Sequence, residues 1–268
     1  MVTILDTIAE YARKRVVKAK ESLSLEEIRR QAFAENCRTG FPFENALAAE
    51  GISFICECKK ASPSKGLIAE EFPCLTIAKE YAVAGAACLS VLTEPKWFLG
   101  SDEYLKEIAA EVPIPCLRKD FTIDEYMIYE AKLLGASAVL LICSLLSLKE
   151  LEEYLGLCRE LGLSALVEAH DEEEIAHAVN AGARIIGVNN RNLKDFTVDV
   201  ANSGRLRSLV PEHILFVAES GIYCREDVAA LEKARVDAVL VGETLMRAKD
   251  KRAKLAELKG RVFHGGLT

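Results

Sequence analysis

Several stretches of the chain set charged or amide side chains directly after an apolar run. They are Glu57-Cys58-Lys59-Lys60, Arg118-Lys119-Asp120, Glu168-Ala169-His170, Asn189-Asn190-Arg191, Glu219-Ser220-Gly221 and Gly242-Glu243-Thr244. Lysine and glutamate are residue types of general acid–base catalysis, given neighbours and burial that tune their proton affinity. Gathered in one cavity, Lys59 and Lys119 would be set against Glu57, Glu168 and Glu219, and each would shift the others. In an extended segment alternate side chains share a face, so Glu57 and Lys59 point one way while Cys56 and Cys58 point the other. For that pair alone a self-contained buried ion pair is an adequate explanation. The recurrence of such groups along the chain is not explained that way.

A second chemistry is anion binding. Ser220-Gly221 and Gly242 follow late apolar runs, and glycine there lets an anion approach backbone N–H groups. The segment Ala61-Ser62-Pro63-Ser64-Lys65-Gly66 adds hydroxyls, a rigid proline and a cation. Together these features favour a phosphorylated substrate. Metal chemistry has little support, because His170, His177, His213 and His264 lack ligand spacing and no clustered Cys/His motif occurs. His170 has no evident partner and reads as structural. Trp97 and Phe98 either wall a hydrophobic pocket or plug a rim.

The elements that must position these groups alternate. Strands are expected near 53–60, 88–93, 115–120, 138–144, 164–170, 184–190, 214–220 and 238–244, separated by amphipathic segments such as DEYMIYEAKLLGA and EEEIAHAVNAGA. Eight buried strands alternating with helices predict an α/β fold, a (β/α)8 TIM barrel, whose chemistry lies at the C-terminal strand ends. The competitor is an open doubly wound sheet, but no G-x-G-x-x-G follows the first strand. Residues 1–50 read mainly as helix, with Ile4, Leu5, Ile8 and Tyr11 on one face and a second helix starting at Leu25 after the N-cap Ser24. This gives an extension over 1–50 covering a barrel mouth, a barrel over 51–260 and a tail over 261–268, one domain overall. The basic run Arg13, Lys14, Arg15, Lys18 and Lys20 reads as a solvated helix surface.

Composition narrows the setting. The 268 residues carry 34 Lys+Arg against 41 Asp+Glu, a net charge of −7, which argues against nucleic acid or an anionic membrane as partner. Nine cysteines, an odd number without C-x-x-C spacing, read as reduced thiols. The longest apolar run, Ala138 to Cys143, is far below the ~20 residues of a membrane helix. A cytoplasmic protein with a small-molecule substrate is expected.

The motifs ECKKASPSKG (57–66), VLTEPKWFLGS (91–101), LRKDF (117–121), LVEAH (166–170), VNNRNL (188–193), AESGI (218–222) and VGETLM (241–246) resemble those of the indole-3-glycerol phosphate synthases, in the same order along nearly the whole chain. The resemblance implies a barrel of the phosphate-binding type with an N-terminal helical extension. It also implies ring closure, decarboxylation and dehydration of 1-(2-carboxyphenylamino)-1-deoxyribulose 5-phosphate in tryptophan biosynthesis, with no cofactor and no metal. By the same resemblance Lys119 is the acid at the ribulose carbonyl. Lys59 binds the substrate carboxylate or phosphate and serves as an acid for the departing hydroxyl. Glu168 and Glu57 are bases or proton shuttles, Glu219 orients the network, and Asn189 hydrogen-bonds substrate or catalytic groups. Ser62, Arg191, Ser220, Gly221, Gly242 and the amide of Glu243 would hold phosphate. Glu243 stands where many relatives carry serine, so a backbone contact survives there but a hydroxyl contact does not. Lys60 stands where arginine is also common. A monomer or weak homodimer is expected. The rivals are another phosphate-binding barrel enzyme, such as a Schiff-base aldolase on Lys119 or a sugar-phosphate isomerase, and a non-catalytic phosphate-ligand sensor.

Overall fold

A computed structural model of the chain describes residues 3–191 and 196–261. The last seven residues, with His264 and nearly all of the expected tail, and residues 192–193 of the VNNRNL motif lie outside that range. Eight parallel strands form a closed barrel: β1 (Ser53–Cys58), β2 (Cys88–Leu92), β3 (Cys116–Lys119), β4 (Ala138–Ile142), β5 (Ser164–Ala169), β6 (Ile185–Asn189), β7 (Leu215–Glu219) and β8 (Ala238–Val241). Closure is made by β1, which pairs with β8 on one side and β2 on the other: Ile55 stands opposite both Leu240 and Cys88. The open-sheet alternative is thereby excluded.

The period of two explains why the strands look continuously apolar yet carry a site. Phe54, Cys56 and Cys58 of β1, Leu89 and Val91 of β2, and Val167 and Ala169 of β5 pack outward into the cluster shared with the helices. Inward positions are filled by Ile55, Cys88, Leu117, Leu140, Leu166, Ile185, Val217 and Leu240. One step further along the same inward rows stand Glu57, Ser90, Lys119, Glu168 and Glu219, and two steps beyond Ile185, past Gly187, stands Asn189. The polar layer thus closes the C-terminal end of a packed apolar core.

All strands end one to three residues before the limits expected from hydropathy. Side chains take over backbone groups at several of these ends. The His170 N–H donates to Glu174 Oε2 at 2.8 Å, that of Phe121 to Asp120 Oδ1 at 2.8 Å, and that of Arg191 to Asn189 Oδ1 at 3.0 Å. A small hairpin, Ala61–Ser62 against Gly66–Leu67, follows β1 and was not legible in the sequence.

The N-terminal segment forms α1 (Ile4–Ser22), α2 (Leu25–Ala34) and α3 (Pro42–Leu47). Thr3 and Asp6 form a capping box on α1, and Ser24 caps α2 through the Glu27 N–H at 3.2 Å. Ile4, Leu5 and Ile8 line the cavity at the C-terminal strand ends. At the other end of the barrel, Phe43 and Leu47 of α3 join the apolar cluster of Ile55, Cys88, Ala138 and Ile185. The segment between α2 and α3 is seated on Gly162, where an added Cβ would lie 2.4 Å from the Cys37 carbonyl oxygen; Gly162 also has φ 69°.

The basic run on α1 is not wholly solvated, which corrects the sequence reading. Arg15 grips Asp120 and Lys20 binds Asp124 at 2.8 Å, whereas Arg13 and Lys14 remain exposed beside Glu10. Nothing in α1's own periodicity marks Arg15, because its partner lies 105 residues away.

The helices after the strands are α4 (Cys74–Val83), α5 (Asp102–Glu111), α6 (Glu125–Leu133), α7 (Leu148–Leu161), α8 (Glu172–Asn180), α9 (Ala201–Arg207), α10 (Arg225–Lys233), α11 (Glu243–Arg247) and α12 (Lys251–Leu258). Among the described residues no helix is long and apolar enough to cross a membrane, and all nine cysteines are free thiols.

Candidate active site

One cavity at the C-terminal strand ends collects every site residue expected from the sequence: Glu57, Lys59, Ser62, Lys119, Glu168, Asn189, Arg191, Glu219, Ser220, Gly221, Gly242 and Glu243. Its floor is a charge cluster. Lys119 Nζ lies 3.3 Å from Glu219 Oε2 and 3.6 Å from Glu168 Oε2. Across from it Lys59 Nζ and Glu57 Oε1 pair at 2.6 Å, and Ser90 Oγ donates to Glu57 Oε2 at 3.1 Å. Ser90 was missed in the sequence, although a serine inside CLSVL, in step with inward residues, is a polar signal that could have marked it.

Three buried carboxylates share two ammonium groups, so one negative charge is in excess in a poorly solvated place. Burial raises the proton affinity of Glu219, and Glu168 and Glu57 add to it against the opposing pull of Lys119; the result is a pKa of about 7. Burial works against the charge on Lys119, but Glu219, Glu168 and Glu57 outweigh it, and the amine is held well above its ordinary value. For Glu57 burial acts upward, yet Lys59 and Lys119 prevail and leave it below the usual carboxylate range. The site therefore holds a firmly protonated lysine, a firmly ionised glutamate and a glutamate poised near neutrality, the separation that acid–base work requires.

The three neighbours in Arg118-Lys119-Asp120 go to three places. Lys119 joins the charge cluster on the cavity floor. The Arg118 guanidinium turns outward, buried, to Asp102 at 2.8 Å, Glu130 at 2.6 Å and the Met127 carbonyl at 2.9 Å. Asp120 turns to Arg15 and accepts from Thr93 Oγ1 at 2.7 Å. These bonds lock the strand end that carries Lys119.

The cavity rim joins the hairpin after β1 to the ends of β6, β7 and β8. Ser62, Ser64, Lys65, Arg191, Ser220, Gly221, Gly242 and Glu243 meet there. Ser220 takes φ 67°, a conformation costly for a residue with a side chain, and its hydroxyl donates to Asn189 Oδ1 at 2.9 Å. Asn189 Oδ1 also receives the Arg191 N–H, so the oxygen of this amide is engaged and its donors remain for the cavity. Lys65 Nζ lies 3.5 Å from Glu243 Oε1, so the Glu243 side chain is held at the rim by a cation. Gly242 leaves room for the Lys59–Glu57 pair: an added Cβ would lie 2.5 Å from Glu57 Oε1 and 2.9 Å from Lys59 Nζ, so one or both end groups would have to shift.

The remaining wall is apolar: Ile4, Leu5 and Ile8 of α1 with Leu92, Phe98, Phe121, Leu140 and Ile142. The two aromatics named together in the sequence part company. Phe98 faces the cavity, and Trp97 packs edge-on against Tyr11 of α1 with ring centroids 5.4 Å apart. The Glu94 carboxylate shapes that loop by accepting the N–H groups of Lys96, Trp97 and Phe98 at 2.9, 2.7 and 2.9 Å. The sequence also missed the setting of His170, which does have partners: Nδ1 lies 3.0 Å from Glu174 Oε2, and Nε2 lies 3.5 Å from Glu168 Oε1.

Among the described residues no group of three or more His, Cys, Asp or Glu is placed to hold a metal ion.

Comparison with known proteins agrees with this arrangement. In solved structures the chain resembles a thiamine phosphate pyrophosphorylase from Pyrococcus furiosus, with TM-score 0.58, 19% identity, and 81% of this chain and 96% of that one covered. It also resembles KGPDC from Streptococcus mutans, with TM-score 0.61, 11% identity, and 79% and 97% covered. Likeness at that level concerns the barrel alone. In sequence, the indole-3-glycerol phosphate synthase of Ruminiclostridium cellulolyticum is 55% identical over 257 residues, 96% of this chain and 99% of that protein. The protein of the same name from Leuconostoc mesenteroides subsp. mesenteroides is 52% identical over 259 residues, again 96% and 99%. The family model for indole-3-glycerol phosphate synthase matches residues 5–258. With a Lys/Glu cluster on the cavity floor, and a family model and relatives of 52–55% identity that span nearly the whole chain, the chain belongs to the indole-3-glycerol phosphate synthases, carboxy-lyases of tryptophan biosynthesis.

Proposed function

We propose that the family's reaction runs in this cavity with Lys119 as the acid of ring closure and the Lys59–Glu57 pair serving the later steps. The observation that carries the reading is Lys119 Nζ set between Glu168 and Glu219, which keep it protonated. A protonated amine aimed at the ribulose carbonyl favours attack by the ring carbon that bears the carboxylate, because the developing alkoxide receives the proton. Loss of carbon dioxide then restores unsaturation, and departure of the hydroxyl needs a second acid. Lys59 is suited to it: its ammonium can pair with the substrate carboxylate, and once it has given up its proton the Glu57 carboxylate at 2.6 Å can relay one to it from solvent. Glu168 takes the ring proton, Glu219 holds Lys119 in place, and the amide of Asn189 donates to substrate.

Phosphate is held in this reading by Ser62, Arg191, Ser220, Gly221, Gly242 and the Glu243 amide, with Lys59 nearby. The carboxyphenyl ring lies against Phe98, Phe121 and Leu140, and the 1–50 extension covers it through Ile4, Leu5 and Ile8. No cofactor or metal is called for, since each step moves only protons and a carboxylate. The acidic balance and free thiols favour a cytoplasmic enzyme, a monomer or weak homodimer, with neither nucleic acid nor membrane as partner.

The test is formation of indole-3-glycerol phosphate, followed by fluorescence, from the carboxyphenylamino-deoxyribulose phosphate with chelator present and no cofactor added. Wild type turns over, and Lys119→Ala loses at least ~10²-fold in kcat while still binding substrate. Near-normal turnover of Lys119→Ala overturns the lysine's role. A covalent adduct trapped on Lys119 by borohydride would favour Schiff-base chemistry instead.

A further inference from the structure

The cavity floor does not end at Glu168. Its Oε2 faces Lys119, while its other oxygen, Oε1, lies 3.5 Å from His170 Nε2. The imidazole is held from behind. Glu174 Oε2, in the first turn of α8, lies 3.0 Å from His170 Nδ1 and also accepts the His170 backbone N–H at 2.8 Å. Glu174 is itself fixed, because its own N–H donates to the N-cap Asp171 at 2.9 Å. From α9, Asn202 Nδ2 donates to the His170 carbonyl at 3.3 Å. A ring gripped on its far side and aimed at a buried carboxylate oxygen is more than packing requires, and among the described residues its Nε2 has no hydrogen-bond partner of its own. Beyond the ring lies a second, polar cavity with Thr3, Asp6, Asp171, Asp199 and Asn202, through which the imidazole can exchange protons with solvent.

We propose that His170 is a positioning residue for Glu168: its ring, backed by Glu174, faces Glu168 Oε1 and holds the carboxylate turned toward the substrate. The proposal rests on Glu168 acting as a base in the reaction described above.

The charges around the pair set the sign. Glu168 is faced by Lys119 from β3, by Glu219 from β7 and, further off, by Glu57 from β1. His170 is faced by Glu168 from its own strand, by Glu174 and Asp171 at the start of α8, and by Glu219 from β7. The Cys143 thiol after β4 touches Glu174 through its carbonyl, and Asp6 of α1 and Asp199 line the adjoining cavity. Burial disfavours charge on the ring, but Glu174, Glu168 and Glu219 outweigh it and raise the His170 pKa above its usual value. In acid the ring is therefore a cation, and it sets a charge of opposite sign against Glu168 Oε1.

The experiment compares kcat and KM against pH for wild type, His170→Gln, Glu168→Gln and the double variant. Glutamine keeps a donor at about the reach of Nε2 but carries no charge. In His170→Gln the acidic limb of kcat should move up by about one pH unit or more, the scale of an opposite charge within ~4–6 Å. KM at the plateau should stay near wild type. Adding His170→Gln to Glu168→Gln should leave the residual rate unchanged, because the group it acts through is gone. An unshifted limb, or an equal further loss in the Glu168→Gln background, overturns the proposal. Should Glu168→Gln itself turn over normally, the reading of Glu168 as base has failed instead. A second measurement needs no His170 variant: by linkage, the His170 titration followed by NMR should fall toward the ordinary histidine value in Glu168→Gln. An unchanged His170 titration there overturns the proposal as well.

Discussion

The carboxylate of Asp120, the residue that follows Lys119, is gripped by both terminal nitrogens of Arg15 at 3.0 and 2.6 Å, so the first helix, α1, clamps the strand end that delivers Lys119 to the cavity. Asp120 is buried, and burial alone would raise its proton affinity. Arg15 and Arg118, with Thr93 also bonding it, hold it instead below the usual carboxylate range.

Arg15→Ala therefore leaves a buried carboxylate short of its main partner. The expected cost is ~3 kcal/mol, the low end for breaking a buried pair, read as a lower urea midpoint at neutral pH. A carboxyl group with a depressed folded pKa contributes stability above its unfolded pKa and loses it as pH falls through the folded value. The gap between wild type and Arg15→Ala should accordingly narrow in acid. Equal stability of the two proteins at pH 7 would show that the clamp contributes nothing.

Glu219 has the opposite sign. Its pKa rises from 4.5 to about 7, so between those values the folded state keeps a proton that the unfolded chain has lost, and stability declines as pH rises through that window. Glu219→Gln removes the penalty. At pH 8 the variant should be more stable than wild type by on the order of 1 to 3 kcal/mol, the difference vanishing near pH 4, while kcat falls. Thermal denaturation at the two pH values decides it.

Position 242 distinguishes crowding of the phosphate from disturbance of the acid–base pair. On the phosphate contact proposed above, a side chain there obstructs phosphate and raises KM. The added Cβ would also press on Glu57 Oε1 and Lys59 Nζ, at 2.5 and 2.9 Å. Gly242→Ala should therefore lower kcat by ~10-fold or more, as misplacement of a catalytic group by a fraction of an ångström does, in addition to raising KM. A change in KM alone would mean that the pair accommodates the methyl group.

Glu57 and Glu168 serve different lysines, 2.6 Å from Lys59 and 3.6 Å from Lys119 respectively. Glu57→Gln and Glu168→Gln should each slow turnover by ~10²-fold but at different steps, so quenched single-turnover reactions should accumulate different intermediates. The same intermediate in both would argue for one shared step.

Much of this protein is legible along the chain. Eight apolar runs in alternation with amphipathic segments specify the barrel, because burial on both faces of a parallel strand demands them. The period of two sends Cys56 and Cys58 outward and Glu57 inward, a local rule that needs no knowledge of the partner strands. Glu57, Lys119, Glu168, Asn189 and Glu219 could be named as cavity residues for the same reason: each extends an inward row past the apolar core. Tertiary structure alone decided what those groups do to one another. The poised state of Glu219 exists only because closure of the barrel brings three carboxylates and two lysines, far apart in sequence, within a few ångströms under poor solvation. Neither the Arg15–Asp120 clamp nor the contact of His170 with Glu168 could be read from periodicity, since the first joins residues 105 apart and the second depends on a side-chain orientation set by Glu174. Pattern along a strand determines which face a residue occupies; distance and burial, which determine its charge, are properties of the closed barrel.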